Sequence, residues 1–97
     1  MNNIEIWNDF SDEIISKLDS PIKNSLEILE ISKSISEKLE IHQQILLVNL
    51  IQTIWWNNTR NISLVKKLEN LKFFLKKNIQ PRLAWEIIFL KIAIEDI

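Results

Sequence analysis

The residues able to do chemistry are sparse in this chain and poorly placed for it. His42 is the single histidine, and there is no cysteine. A lone imidazole at a predicted helix start, with no thiolate and no second histidine, lacks the partners of the usual metal constellations. A surface or capping role is expected for it. Serines are plentiful, but a Ser–His–acid triad needs His42 beside one of them together with an oxyanion hole, and no spacing supports that. The paired acids Asp12-Glu13 and Glu95-Asp96 stand at a helix start and at the chain terminus, where solvated charge is a sufficient explanation. The reading is a chain with no catalytic residue, no metal site and no cofactor, and not an enzyme.

Two groups of side chains remain. Lys66, Lys67, Lys72, Lys76 and Lys77 form a basic run that could contact phosphates. The same residues alternate with leucines at the spacing a solvated helix face requires, and those near the helix end are favoured by its dipole. Trp55-Trp56 and Trp85 are the other group. Adjacent helical residues point about 100° apart, so the members of a Trp pair cannot both fill one core site. One belongs inside and the other at the surface or in an interface, where Trp is enriched.

Composition narrows the class. At 97 residues the chain is read as one domain, large enough for a core of its own. A net charge of -1 gives no global attraction to nucleic acid or anionic lipid. The absence of glycine removes P-loops and dinucleotide-binding turns and disfavours tight hairpins. Period-two alternation is sustained nowhere, so the apolar spacing reads as helix despite the many isoleucines. The N-terminus has neither the basic start nor the apolar core of a signal peptide, and a cytoplasmic protein is the default.

The elements follow from this pattern. Ile41 to Thr59 carries no charged side chain and is apolar nearly all round on a helix, so it should be buried nearly all round. Its amides, Asn49 and Gln52 among them, are too many for hydrocarbon, where each needs an internal partner. It therefore reads as the central helix of a bundle, ending near Asn57-Asn58. Before it, Trp7, Phe10, Ile14 and Leu18 form a helical seam, with Ser11 as its cap; residues 1–19 are a first short helix or a lead-in. Ser20-Pro21 should open a helix that runs to about Leu39, with apolar groups Ile22, Leu26, Leu29 and Ile28, Ile31, Ile35, Leu39 on two sides. Asn61 caps a helix with the stripe Leu64, Leu68, Leu71, Leu75. Gln80-Pro81 opens the last helix, whose charges Arg82 and Glu86 lie opposite Lys91 and Glu95, leaving no face polar from end to end. Another chain should cover part of it. The predicted architecture is all-α, a compact antiparallel bundle of about five helices, with residues 20–97 as its main body.

The segment Leu64 to Ile92, and above all Pro81, Arg82, Leu83, Ala84 and Glu86 followed by Ile87, Ile88, Phe89 and Leu90, resembles the C-terminal helical domain of bacterial clamp-loader subunits. Leu50, Gln52 and Trp56 match that family's Leu-rich helix bearing Gln and Trp, and Trp85 makes the likeness greatest to cyanobacterial delta-prime subunits of DNA polymerase III. Gln80 departs from the Asn usual at that turn. The resemblance implies an isolated C-terminal (collar) domain without its ATPase module, which packs beside other clamp-loader subunits during loading of the sliding clamp in DNA replication. It implies no catalysis, no membrane and no direct DNA contact, and it leaves room for self-association. The expected interface residues are Trp55, Trp56, Arg82, Trp85 and Phe89. The alternative is a helical nucleic-acid-binding module using the Lys66–Lys77 face.

Overall fold

The computed structural model describes residues 12, 14, 16–19, 21–77 and 79–95. Every regular element among them is helical: α1 (Ser25–Lys38), α2 (Ile41–Thr59), α3 (Ile62–Lys76) and α4 (Pro81–Glu95), preceded by helical residues at 12, 14, 16 and 17. The all-α bundle is the expected class. Helix α2 packs on α3, α1 packs on α4, and α3 packs on α4.

Local chemistry sets most of the boundaries. Asn24 caps α1, its Oδ1 accepting from the backbone N–H of Leu26 at 2.9 Å and of Glu27 at 3.2 Å. The start expected at Pro21 is therefore displaced by four residues. Pro21 to Asn24 stay non-helical, and that path carries Ile22 into the core. Helix α2 has the expected start, where the N–H of Glu40 donates to Gln43 Oε1 at 2.9 Å. Its end lies at Arg60, in the left-handed region at φ 54°, and not at Asn57-Asn58. Asn58 is otherwise engaged: its Nδ2 donates to the carbonyl of Asp19 at 2.7 Å. Asn61 caps α3 through a 2.9 Å bond from the N–H of Ser63, as expected.

The core joins Ile14 and Leu18 to Ile28, Ile31 and Ile35 of α1, Leu47, Val48, Ile51 and Trp55 of α2, the four-leucine stripe of α3, and Trp85, Ile88, Phe89 and Ile92 of α4. Trp7, Phe10 and Ser11, which complete the first seam, lie outside the described residues. Of the two apolar groups in α1, the isoleucine set is the buried one; Leu26 and Leu29 face outward. Ser32, in the same buried stripe, keeps a hydroxyl that finds no hydrogen-bond acceptor.

Helix α2 is not enclosed on all sides. Leu46, Asn49, Thr53 and Trp56 form an open stripe along it. The amides explain this: Asn49 Oδ1 accepts from Lys72 Nζ at 2.8 Å, and Gln52 Nε2 donates to the Val65 carbonyl at 3.2 Å and to Glu69 Oε1 at 2.9 Å. These side chains are satisfied at the rim of the α2–α3 contact rather than deep inside it.

Candidate subunit interface

The tryptophans divide as their spacing requires. Trp55 is fully buried, and its Nε1–H donates to the Leu18 carbonyl at 2.7 Å. Trp56 is 36% exposed, with the Arg60 guanidinium 5.4 Å from its ring centre. Trp85 lies wholly inside. Its Nε1–H donates to Gln44 Oε1 at 2.8 Å, and Gln44 Nε2 passes the chain on to the Leu39 carbonyl at 3.0 Å. Phe89 sits between the buried indoles, 6.0 Å from Trp55 and 5.4 Å from Trp85, tilted against the first and edge-on to the second.

Of the five residues expected at an interface, Trp55, Trp85 and Phe89 are thus brought together as one internal aromatic cluster. Only Trp56 and Arg82 reach the surface, and they do so separately. Trp56 borders an open cleft with Asn49, Gln52, Thr53, Ile62 and Val65. Arg82 is held along α4 by a 3.0 Å pair from its Nε to Glu86 Oε1.

An apolar concavity lies elsewhere, between α3 and α4. It is a groove of about 250 Å³ lined by Phe74, Ile79, Leu83 and Ile87, with Asn70 and Lys91 at its margin. These four apolar residues are between 39% and 52% exposed. Together they form a contiguous apolar patch on the surface of the domain. The signal for it was present in the spacing. Leu83 and Ile87 belong to none of the positions that Ala84, Trp85, Ile88 and Ile92 use to fill the core, so α4 has more apolar faces than one bundle can cover.

Three of the five lysines are engaged within the domain. Lys67 Nζ bonds Ser63 Oγ at 2.7 Å and pairs with Glu95 Oε2 at 2.6 Å, closing the end of α4 on the start of α3. Lys72 pairs with Glu69 at 2.7 Å as well as with Asn49. Lys77 lies over the Phe73 ring at 4.5 Å. Lys66 and Lys76 are exposed. The bonds from Lys72 first, and then from Gln52, hold the Glu69 carboxyl below its ordinary range. His42 is at the surface, its Nδ1 3.4 Å from Glu40 Oε2. Of the paired acids, Glu13 and Asp96 lie outside the described residues. Among the described residues no group of His, Cys, Asp and Glu is arranged to hold a metal ion, and no helix is long and apolar enough to cross a membrane.

A model of the family described as cyanobacterial DNA polymerase III delta prime, C-terminal domain, matches residues 1–92. The chain belongs to that family. No curated protein and no solved structure matches it. The delta-prime assignment covers all of α1, α2 and α3 and most of α4, so the aromatic cluster and the α3–α4 groove both fall within the matched region. Its reach also exceeds the Leu64–Ile92 stretch that carries the clearest resemblance in the sequence.

Proposed function

We propose that this domain is the oligomerisation, or collar, element of a clamp-loader delta-prime subunit, packing against sister subunits so that the assembled loader can place the sliding clamp during DNA replication. In this reading it is a single cytoplasmic domain with no catalytic step of its own. The observation that carries the reading is the apolar groove of Phe74, Ile79, Leu83 and Ile87, open on a domain whose own core is already filled by Trp55, Trp85 and Phe89. Burying such a surface is favourable by about 25 cal/mol per Å², and only a second surface can do so. Trp56 and Arg82 extend the contact on neighbouring sides of the bundle. Trp55, Trp85 and Phe89 contribute from within, by fixing α2 and α4 against each other.

The test is co-elution. The domain is mixed with the other clamp-loader subunits and passed over a sizing column, with helicity checked by circular dichroism. A shift to a larger complex is expected, and Ile87→Glu is expected to abolish it. A folded domain that co-elutes with none of the subunits overturns the proposal.

A further inference from the structure

Along the outward side of α4, Leu83, Ile87, Leu90 and Ile94 follow one another at intervals of four, three and four. Leu83, Ile87 and Ile94 are 45%, 42% and 67% exposed, and Leu90 is half-buried. On a helix these four positions fall within about 60° of one another. The buried set of Ala84, Trp85, Ile88, Phe89 and Ile92 takes the opposite side. Helix α4 therefore has two apolar stripes. One is packed on α1 and α3; of the other, Leu90 also touches the core, while Leu83 and Ile87 border the groove beside α3 and, with Ile94, stay open on their outer side.

An interval pattern of four, three and four is matched by another helix lying alongside, since it keeps one seam facing a partner. The residue types narrow the partner further. With Ile87 and Ile94 at the a positions, Leu83 and Leu90 fall at d. Ile at a with Leu at d is the combination that favours two parallel strands. The flanks agree: Glu86 occupies g and Lys91 occupies e. In a parallel pair, g of one helix lies beside e of the following heptad of the other, so Glu86 meets Lys91 of a second copy, and two-fold symmetry makes that contact twice. An antiparallel pair would set Glu86 against Ala93 and Lys91 against Ala84, and the charge match would be lost.

We propose that the outward stripe of α4 is a docking seam for a second copy of this chain, aligned parallel, with Leu83, Ile87, Leu90 and Ile94 interdigitating and Glu86 paired to Lys91 of the other copy. This goes beyond packing against sister subunits, which requires no self-recognition. Two heptads make a short seam, and Arg82 already engages Glu86 within its own helix. The association is therefore weak and concentration-dependent, with Kd on the order of 0.1 mM.

Sedimentation equilibrium of the full chain reads this directly. A monomer–dimer equilibrium is expected, and Ile87→Glu, at an already exposed position, should raise Kd roughly tenfold or more. Glu86→Lys and Lys91→Glu each place like charges together twice and should each weaken the dimer roughly threefold. Mixing these two variants should restore association through heterodimers, because every flank is then opposite in sign. A wild-type chain that stays monomeric up to about 1 mM, or charge variants that gain nothing on mixing, overturns the proposal. Co-elution with sister subunits does not enter this experiment. A domain that binds them yet never pairs with itself supports the collar reading and sinks this one.

Discussion

Trp85 and Gln44, 41 positions apart in the chain, are joined by a buried 2.8 Å hydrogen bond from the indole N–H to the amide oxygen. Gln44 is, with Ser32, one of the two buried polar side chains among the described residues. Through its Nε2 it also satisfies the carbonyl of Leu39, where α1 ends and the chain turns into α2. One side chain thus ties together the end of α1, the start of α2 and the middle of the α4 core face.

Replacing Gln44 by Met keeps the volume but leaves a buried N–H and a buried carbonyl unpaired. A loss of about 3 kcal/mol in urea unfolding is expected. In a Trp85→Phe background, where the indole donor is already gone, the same substitution should cost clearly less, because the two sites share one interaction. Equal costs in both backgrounds would mean that the bond contributes little.

The neighbouring tryptophans should respond very differently to truncation. Trp55→Ala removes a fully buried ring and leaves the Leu18 carbonyl without its donor, for a loss of about 3–5 kcal/mol. Trp56→Ala removes a surface ring whose contact with Arg60 is worth about 0.5–1 kcal/mol. Chemical denaturation of the two variants measures the difference, and co-elution of the Trp56 variant with sister subunits reports whether that ring contributes to assembly.

Gln80 holds φ at 32°, a left-handed conformation that costs a side chain with an ordinary β-carbon about 1 kcal/mol. Asn tolerates that region better and caps helices more effectively. Gln80→Asn should therefore stabilise the domain by about 0.5–1 kcal/mol, read as an increase in the denaturation midpoint. No gain would show that the turn before α4 relaxes at little cost.

The carboxyl of Glu69 has its pKa lowered from 4.5 by bonds from Lys72 and Gln52. A group depressed in the folded state adds stability above its unfolded pKa and loses it as pH falls through the folded value. Acidification from pH 7 to about pH 3 should therefore destabilise the wild-type domain more than Glu69→Gln, which has nothing to protonate. Parallel stability curves for the two proteins would remove this pair from the acid response.

Much of the bundle was legible before any coordinates. The place and start of α2 followed from a run with no charge between Glu40 and Arg60, Asn61 from the preference of short polar side chains for caps, and the Trp55–Trp56 split from helical geometry alone. The errors share a cause. Pro21 is a good first residue for a helix, but Ile22 gains more from entering the core than from an extra turn, and Asn24 offers the stronger cap. Asn58 is a good residue for ending a helix, but its amide is taken by Asp19, so the left-handed turn falls to Arg60. In both places a contact distant in sequence, Ile22 with the core and Asn58 with Asp19, took part in overruling local preference. The candidate interface shows the same limit. That α4 carried surplus apolar faces could be read from its spacing; that Trp85 and Phe89 face inward while Leu83 and Ile87 face outward depends on where α1 and α3 lie.

The bonds from Trp55 to Leu18 and from Asn58 to Asp19 also have a mechanical meaning. They fasten two consecutive residues of the leading segment to the far end of α2, ahead of Pro21 and the cap of α1. Displacing the leading segment from the bundle would have to break both bonds. The C-terminal end of α2 is thus the post to which the chain ahead of α1 is tied.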